Sequence, residues 1–138
     1  MSAPNPEARI QNDEAPVART PAKSFEDLVV WQKAHQLVSS VYRFTESFSS
    51  QEIHGRMSQL RRAAVSVSAN VAEGFKGRGK GDKSRFLNIA QGSLEECRYY
   101  LILSGDLIYG DPSALRDQLT EVSKLLNAYA CAVLNSRF

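Results

Sequence analysis

A chain of 138 residues, 43% hydrophobic and 23% charged, has room for one domain with a real core and not for two. No apolar run approaches the roughly 18 residues that span a bilayer, and the opening MSAPNPEARIQNDEAPVARTPAKS lacks the apolar centre of a signal peptide. Those features argue against a membrane-embedded or secreted protein, so a cytoplasmic setting is expected. The net charge of +2 hides an asymmetry: residues 55–85 hold eight basic groups against Glu73 and Asp82, 8 − 2 = +6, which leaves −4 for the rest. Positive charge gathered in one segment attracts polyanions or an acidic partner.

Residues 1–23 contain four of the five prolines and no hydrophobic periodicity, which reads as a disordered tail ahead of a folded domain over 24–138. Ser24, with Asp27 three residues on, offers a cap just before a long apolar pattern. A first helix is expected from Phe25 to Phe48, and it carries two stripes. Leu28, Trp31, His35, Val38, Tyr42 and Thr45 form one, and Val30, Ala34, Leu37, Val41, Phe44 and Phe48 form the other. One buried face needs only one stripe. The surplus implies cover on a second side, from within the monomer or from another subunit.

Ser49 and Ser50 interrupt the pattern and can cap a second helix, Gln51 to Phe75. At 100° per residue, Gln59, Arg62, Ser66, Asn70 and Glu73 share one narrow sector beside the apolar stripe Ile53, Met57, Leu60, Ala64, Val67, Val71 and Phe75. Small residues, Ala63, Ser68, Ala69 and Ala72, occupy other positions and permit close helix approach. Lys76-Gly77-Arg78-Gly79-Lys80-Gly81 reads as a loop, because alternate glycines disfavour helix and strand.

Asp82 then caps a third helix, Lys83 to Tyr109, with Leu87, Leu94, Leu101 and Ile108 at intervals of seven. Gly92 and Gly105 each cost it roughly 1 kcal/mol relative to alanine, which suggests close packing at both. After Gly110, Asp111-Pro112 restarts the chain for a fourth helix to Leu134. Four amphipathic helices joined by short loops predict an all-α, antiparallel up-down-up-down four-helix bundle.

Candidate chemistry is sparse. Gly74-Phe75-Lys76-Gly77-Arg78-Gly79-Lys80-Gly81 nearly spells a phosphate-binding loop, but Gly81 replaces the magnesium-binding hydroxyl and a helix precedes it. Glu73, Glu95, Glu96 and Asp106 offer carboxylates, yet no Glu-x-x-His pair of the di-iron kind occurs. His35 and His54 read as structural or surface residues. Cys97 and Cys131 sit at apolar helix positions and read as buried reduced thiols. No catalytic residue, metal or cofactor is expected.

The polar stripe has two readings. Gln59, Arg62, Ser66, Asn70 and Glu73, with Ser93 and Glu96 of the third helix, form a half-buried network that sets helix register or subunit geometry, or they contact a small ligand. A buried Arg62 needs a carboxylate, from Glu96 or Glu73, and such a pair gives specificity more than stability. The basic segment also has two. Arg61, Lys76, Arg78, Lys80, Lys83 and Arg85 offer charge to phosphates, with little aromatic interleaving and hence sequence-tolerant, salt-sensitive contact, or they are simply a solvated turn.

The run Gln59-Leu60-Arg61-Arg62-Ala63-Ala64-Val65-Ser66-Val67-Ser68-Ala69-Asn70-Val71-Ala72-Glu73-Gly74 resembles the signature of the 23S rRNA intervening-sequence proteins. Phe25-Glu26-Asp27-Leu28-Val29-Val30-Trp31-Gln32-Lys33-Ala34 is similar to that family's opening helix. Phe86-Leu87-Asn88-Ile89-Ala90-Gln91-Gly92-Ser93-Leu94-Glu95-Glu96 is similar to its third-helix motif, with Ser93 and Glu96 at the recurrent positions. The resemblance covers about residues 24–134. It implies a monomer of four antiparallel helices assembling into a homopentamer, with some members encoded inside insertions of large-subunit rRNA genes. The family is also similar to the accessory variability determinant of diversity-generating retroelements, a basic pentamer that partners a reverse transcriptase and nucleic acid. The resemblance supplies no catalytic residues. The resulting expectation is a non-enzymatic homo-oligomer with RNA or a nucleoprotein as partner; the rival is a ligand-binding or enzymatic bundle using the polar stripe.

Overall fold

A computed structural model describes residues 21–107 and 109–136, and every described element is helical. Most of the expected tail, residues 1–20, lies outside the described residues, as does Ile108. The chain opens with a 3-10 turn, Phe25–Asp27, held by the expected cap. Ser24 Oγ accepts from the Glu26 N–H at 3.2 Å, and Asp27 Oδ2 accepts from the Ser24 N–H at 3.3 Å. Helix α1 follows at Val29–Thr45, then a short α2 at Ser50–His54, α3 at Arg56–Lys76, α4 at Gly79–Asp106 and α5 at Ser113–Leu134.

Five boundaries and packing positions differ from the sequence reading, one of them the end of α4 at Asp106, short of the expected Tyr109. The first helix is shorter than Phe25–Phe48, because Leu28 is extended (ψ 127°) and separates the opening turn from α1. The second is broken at Gly55, which leaves helical geometry at ψ −117°. Its N–H donates to the carbonyls of Gln51 and Glu52, ending α2, while its own carbonyl accepts from the Ser58 N–H and hydroxyl, starting α3. The glycine-rich loop shrinks to Gly77 and Arg78. Gly79 takes φ +74°, a left-handed conformation that costs other residues about 1–2 kcal/mol, and α4 begins there. Asp82 then caps from inside the first turn, its carboxylate accepting from the Arg78 N–H at 3.3 Å. Finally, Gly105 does meet close packing, since a Cβ there would lie 3.3 Å from Pro112 Cγ, but Gly92 faces open space within the chain.

Helix α3 packs between α1 and α4, and α5 packs against both α4 and α1. Side-chain contacts join the neighbours, and the two between α3 and α4 set those helices antiparallel. Ser66 meets Ser93 and Lys83 meets Phe75 across α3 and α4; Gln91 meets Asn127 across α4 and α5; Lys33 reaches Glu121 across α1 and α5. The core is built from one row per long helix: Val30, Ala34, Leu37 and Val41; Met57, Leu60, Ala64, Val67 and Val71; Leu87, Ala90, Leu94 and Leu101; Leu115, Leu119, Val122 and Leu126. Each fully buried leucine contributes about 1.5–3 kcal/mol. Cys97 joins this core, whereas Cys131 is exposed on α5 and is no buried thiol. Its helix turns it away because Val122, Leu125 and Leu126 already supply the core-facing side.

Of the two stripes on α1, the one containing Val30 through Val41 enters the core. The other keeps Leu28, Trp31 and Val38 half-buried and leaves His35 and Tyr42 exposed. Only Thr45 at its end is buried. The surplus stripe therefore has no full cover among the described residues.

Candidate functional site

The polar stripe of α3 faces outward along the crease between α3 and α4. Three of its expected members come together. Ser66 Oγ and Ser93 Oγ lie 2.8 Å apart, and Asn70 Nδ2 donates to the Ser66 carbonyl at 2.9 Å and to its hydroxyl at 3.1 Å. All three are half-buried. The other four, Gln59, Arg62, Glu73 and Glu96, are exposed. Among the described residues no hydrogen bond or ion pair reaches them. Within one chain the seam is thus knit at its centre and open at both ends.

The six basic candidates divide as well. Arg61 is committed to the fold: Nε donates to Thr45 Oγ1 at 2.7 Å, and its guanidinium lies 4.4 Å from the centre of the Tyr42 ring. Thr45 in turn donates to the Val41 carbonyl at 2.9 Å, so a fully buried hydroxyl is satisfied on both counts. Lys83 Nζ donates to the carbonyls of Phe75 (2.7 Å) and Gly74 (3.4 Å), capping the C-terminus of α3 where the helix dipole is negative. Arg85 pairs with Asp82 at 3.5 Å and stacks on Phe86. Lys76, Arg78 and Lys80 remain, on or beside the two-residue turn, with no side-chain hydrogen bond or ion pair among the described residues. Glu73 and Asp82 border the cleft of about 450 Å³ that Lys76, Arg78, Phe25 and Phe86 line, so part of that charge is offset locally.

A second concavity, missed by the sequence reading, lies between α1 and α3. Its volume is about 420 Å³, and Tyr42, Ile53, Ser58, Arg61, Arg62 and Val65 form its walls. The outward exposure of Tyr42 and Val65, 43% and 42%, was the one available signal, and it needs a fold to be seen. The histidines are structural in this chain: His35 stacks on Trp31 at 4.9 Å, and His54 Nδ1 hydrogen-bonds the Ser50 carbonyl at 2.8 Å. No group of three His, Cys, Asp or Glu among the described residues is placed to hold a metal. No described helix is long and apolar enough to cross a membrane.

These features define an all-α bundle with an uncovered, polar-centred face and a cationic turn at one end. The chain belongs to the 23S rRNA-intervening sequence protein family, whose model matches residues 26–128. It is similar in fold to the crystal structure, at 1.70 Å, of a protein of unknown function from the S23 ribosomal protein family of Bacteroides thetaiotaomicron VPI-5482. That likeness has a TM-score of 0.69 and 23% identity, covering 75% of this chain and 96% of the other. No curated protein matches.

Proposed function

We propose that this protein is a non-enzymatic, cytoplasmic scaffold that self-associates and offers a cationic end to RNA or a nucleoprotein. The observation that carries the self-association is the open seam. Gln59, Arg62, Glu73 and Glu96 sit at regular spacing around the Ser66–Ser93–Asn70 contact, yet have no hydrogen-bond or ion-pair partner among the described residues. A second subunit is the economical source of those partners. The resemblance to the family sets five as the expected number of copies.

The nucleic-acid part of the reading is supported by the division of the basic residues. Lys76, Arg78 and Lys80 are left free at one end of the bundle, on or beside the turn that the left-handed Gly79 closes, while Lys83 and Arg85 are held by the fold. Contact through such side chains is to phosphate, hence tolerant of sequence and sensitive to salt. The rival reading, a ligand site on the polar stripe, finds less support because Asn70 is turned onto its own helix.

Light scattering and a salt titration with single-stranded RNA test the two parts separately. Self-association predicts a mass near five times the 15.3 kDa chain, and a monomer at micromolar concentration overturns it. RNA contact predicts that log affinity falls by about 0.7 per phosphate contact with log salt, and that replacing Lys76, Arg78 and Lys80 by glutamine flattens the slope. Absence of binding at low salt overturns that part alone.

A further inference from the structure

We infer that a second copy of this chain seats the Glu96–Tyr99 ridge of its α4 in the groove between α1 and α3, with Glu96 facing Arg62. The inference rests on the self-associating reading and names the two surfaces that meet. They are different surfaces, so the contact is head-to-tail.

The groove is a receptor for an aromatic tipped with negative charge. Tyr42, Ile53 and Val65 supply apolar wall, and Arg61 and Arg62 supply two guanidinium groups. Arg61 is fixed in place by Thr45 and the Tyr42 ring, so the floor is preorganised. Arg62 is exposed and free to pair. The ridge has the complementary character. Among the described residues Tyr99, 58% exposed, is the most exposed of the large hydrophobic side chains, and Glu96 stands one turn before it without an ion-pair partner, whereas neighbouring Glu95 is taken by Arg98 at 3.2 Å. Gly92, two turns before Tyr99, has nothing within 4 Å of where a Cβ would stand. The chain therefore bears the helix cost of a glycine with no packing return inside the monomer, and a neighbouring helix gains the room.

The heights of the two surfaces also agree. Ser66 and Ser93 meet across antiparallel helices. Arg62, four residues before Ser66, and Glu96, three after Ser93, therefore lie at nearly the same level along the bundle. A rotation about an axis parallel to the bundle then carries ridge into groove with little translation. Head-to-tail contacts without translation close into rings; with translation they grow filaments.

The test is charge reversal, read by sedimentation velocity with circular dichroism as the folding control. Arg62→Glu and Glu96→Arg each place like charges across the junction, and each weakens assembly by about tenfold or more. Mixing the two variants restores assembly in part, because each junction between unlike subunits again sets opposite charges face to face, while a five-membered ring of two kinds keeps at least one junction between like subunits. An Arg62–Glu96 pair formed within one chain gives no recovery on mixing, so that result overturns the inference. Single variants that assemble like the wild type overturn it too, and leave self-association standing. A wild-type monomer instead removes the reading on which it rests. Tyr99→Ala, which carries no charge change, is expected to weaken assembly as well; unaltered assembly counts against the ridge.

Discussion

Ser66 and Ser93 are held 2.8 Å apart across α3 and α4, and Asn70 donates to the Ser66 hydroxyl from one turn below. A hydroxyl between two helices, half out of water, gains from a partner and suffers when that partner is removed. Ser66→Ala and Ser93→Ala should each lower stability by about 1 kcal/mol. The double variant should cost less than the sum, since no orphan is left. Urea denaturation of the four proteins measures the coupling. Strict additivity would show that the two hydroxyls do not act as a pair.

Core rows were legible in the sequence because period 3.6 imposes them, although on the first helix two stripes competed. Val30 through Val41 and Leu87 through Leu101 are buried as their spacing demands. The breaks were harder, and glycine explains why. At Gly55 a single residue ends one helix and starts another, with no cluster of turn residues to announce it. At 76–81 the reverse holds: alternate glycines suggested a loop, but Gly79 supplies one left-handed turn and the rest continue as α4. At the site, sequence placed the polar stripe on one face. It could not separate cations used by the fold, Arg61 and Lys83, from those left free, because that depends on which carbonyls lie within reach.

Lys83 provides a direct check of that division. Its ammonium takes the final carbonyls of α3, and hydrogen bonds from charged groups contribute about 1.5–3 kcal/mol when well formed. Lys83→Met should therefore destabilise the bundle by about 1 kcal/mol, given the group's partial exposure. Arg78→Met, at an exposed position with no side-chain partner among the described residues, should change it by no more than about 0.5 kcal/mol. Thermal melts of both variants decide it. Equal effects would return Lys83 to the free cations.

Two helical glycines, one buried and one exposed, should respond oppositely to alanine. A Cβ at Gly74 would stand 3.2 Å from Leu87 Cδ2 and 3.4 Å from Phe86 Cβ, so the overpacking cost of about 1–3 kcal/mol exceeds the helix gain of about 1 kcal/mol. Gly92→Ala meets open space and should stabilise the isolated chain by about 1 kcal/mol. The comparison is made by denaturation at concentrations low enough to dissociate any assembly. A destabilising Gly92→Ala under those conditions would mean that its surroundings are closed within the monomer.

The two thiols should be told apart by reagent and by pH. Burial, with the Glu96 carboxylate as a smaller contribution, pushes the Cys97 thiol up to about 12, from 9.0 when unfolded. At pH 8 a thiol reagent should reach exposed Cys131 and spare Cys97 until the chain unfolds. Above pH 9 the unfolded chain releases a proton that the native chain keeps. Stability then falls as pH rises, by about 1.4 kcal/mol per unit, until the native thiol itself ionises. Burial raises Tyr129 in the same direction, so the slope of the wild type alone mixes two groups. Cys97→Ala separates them: its baseline stability drops with the lost packing, but its decline between pH 9 and 11 should be shallower than that of the wild type. Parallel curves for the two proteins would show that Cys97 ionises as freely in the native state as in the unfolded one.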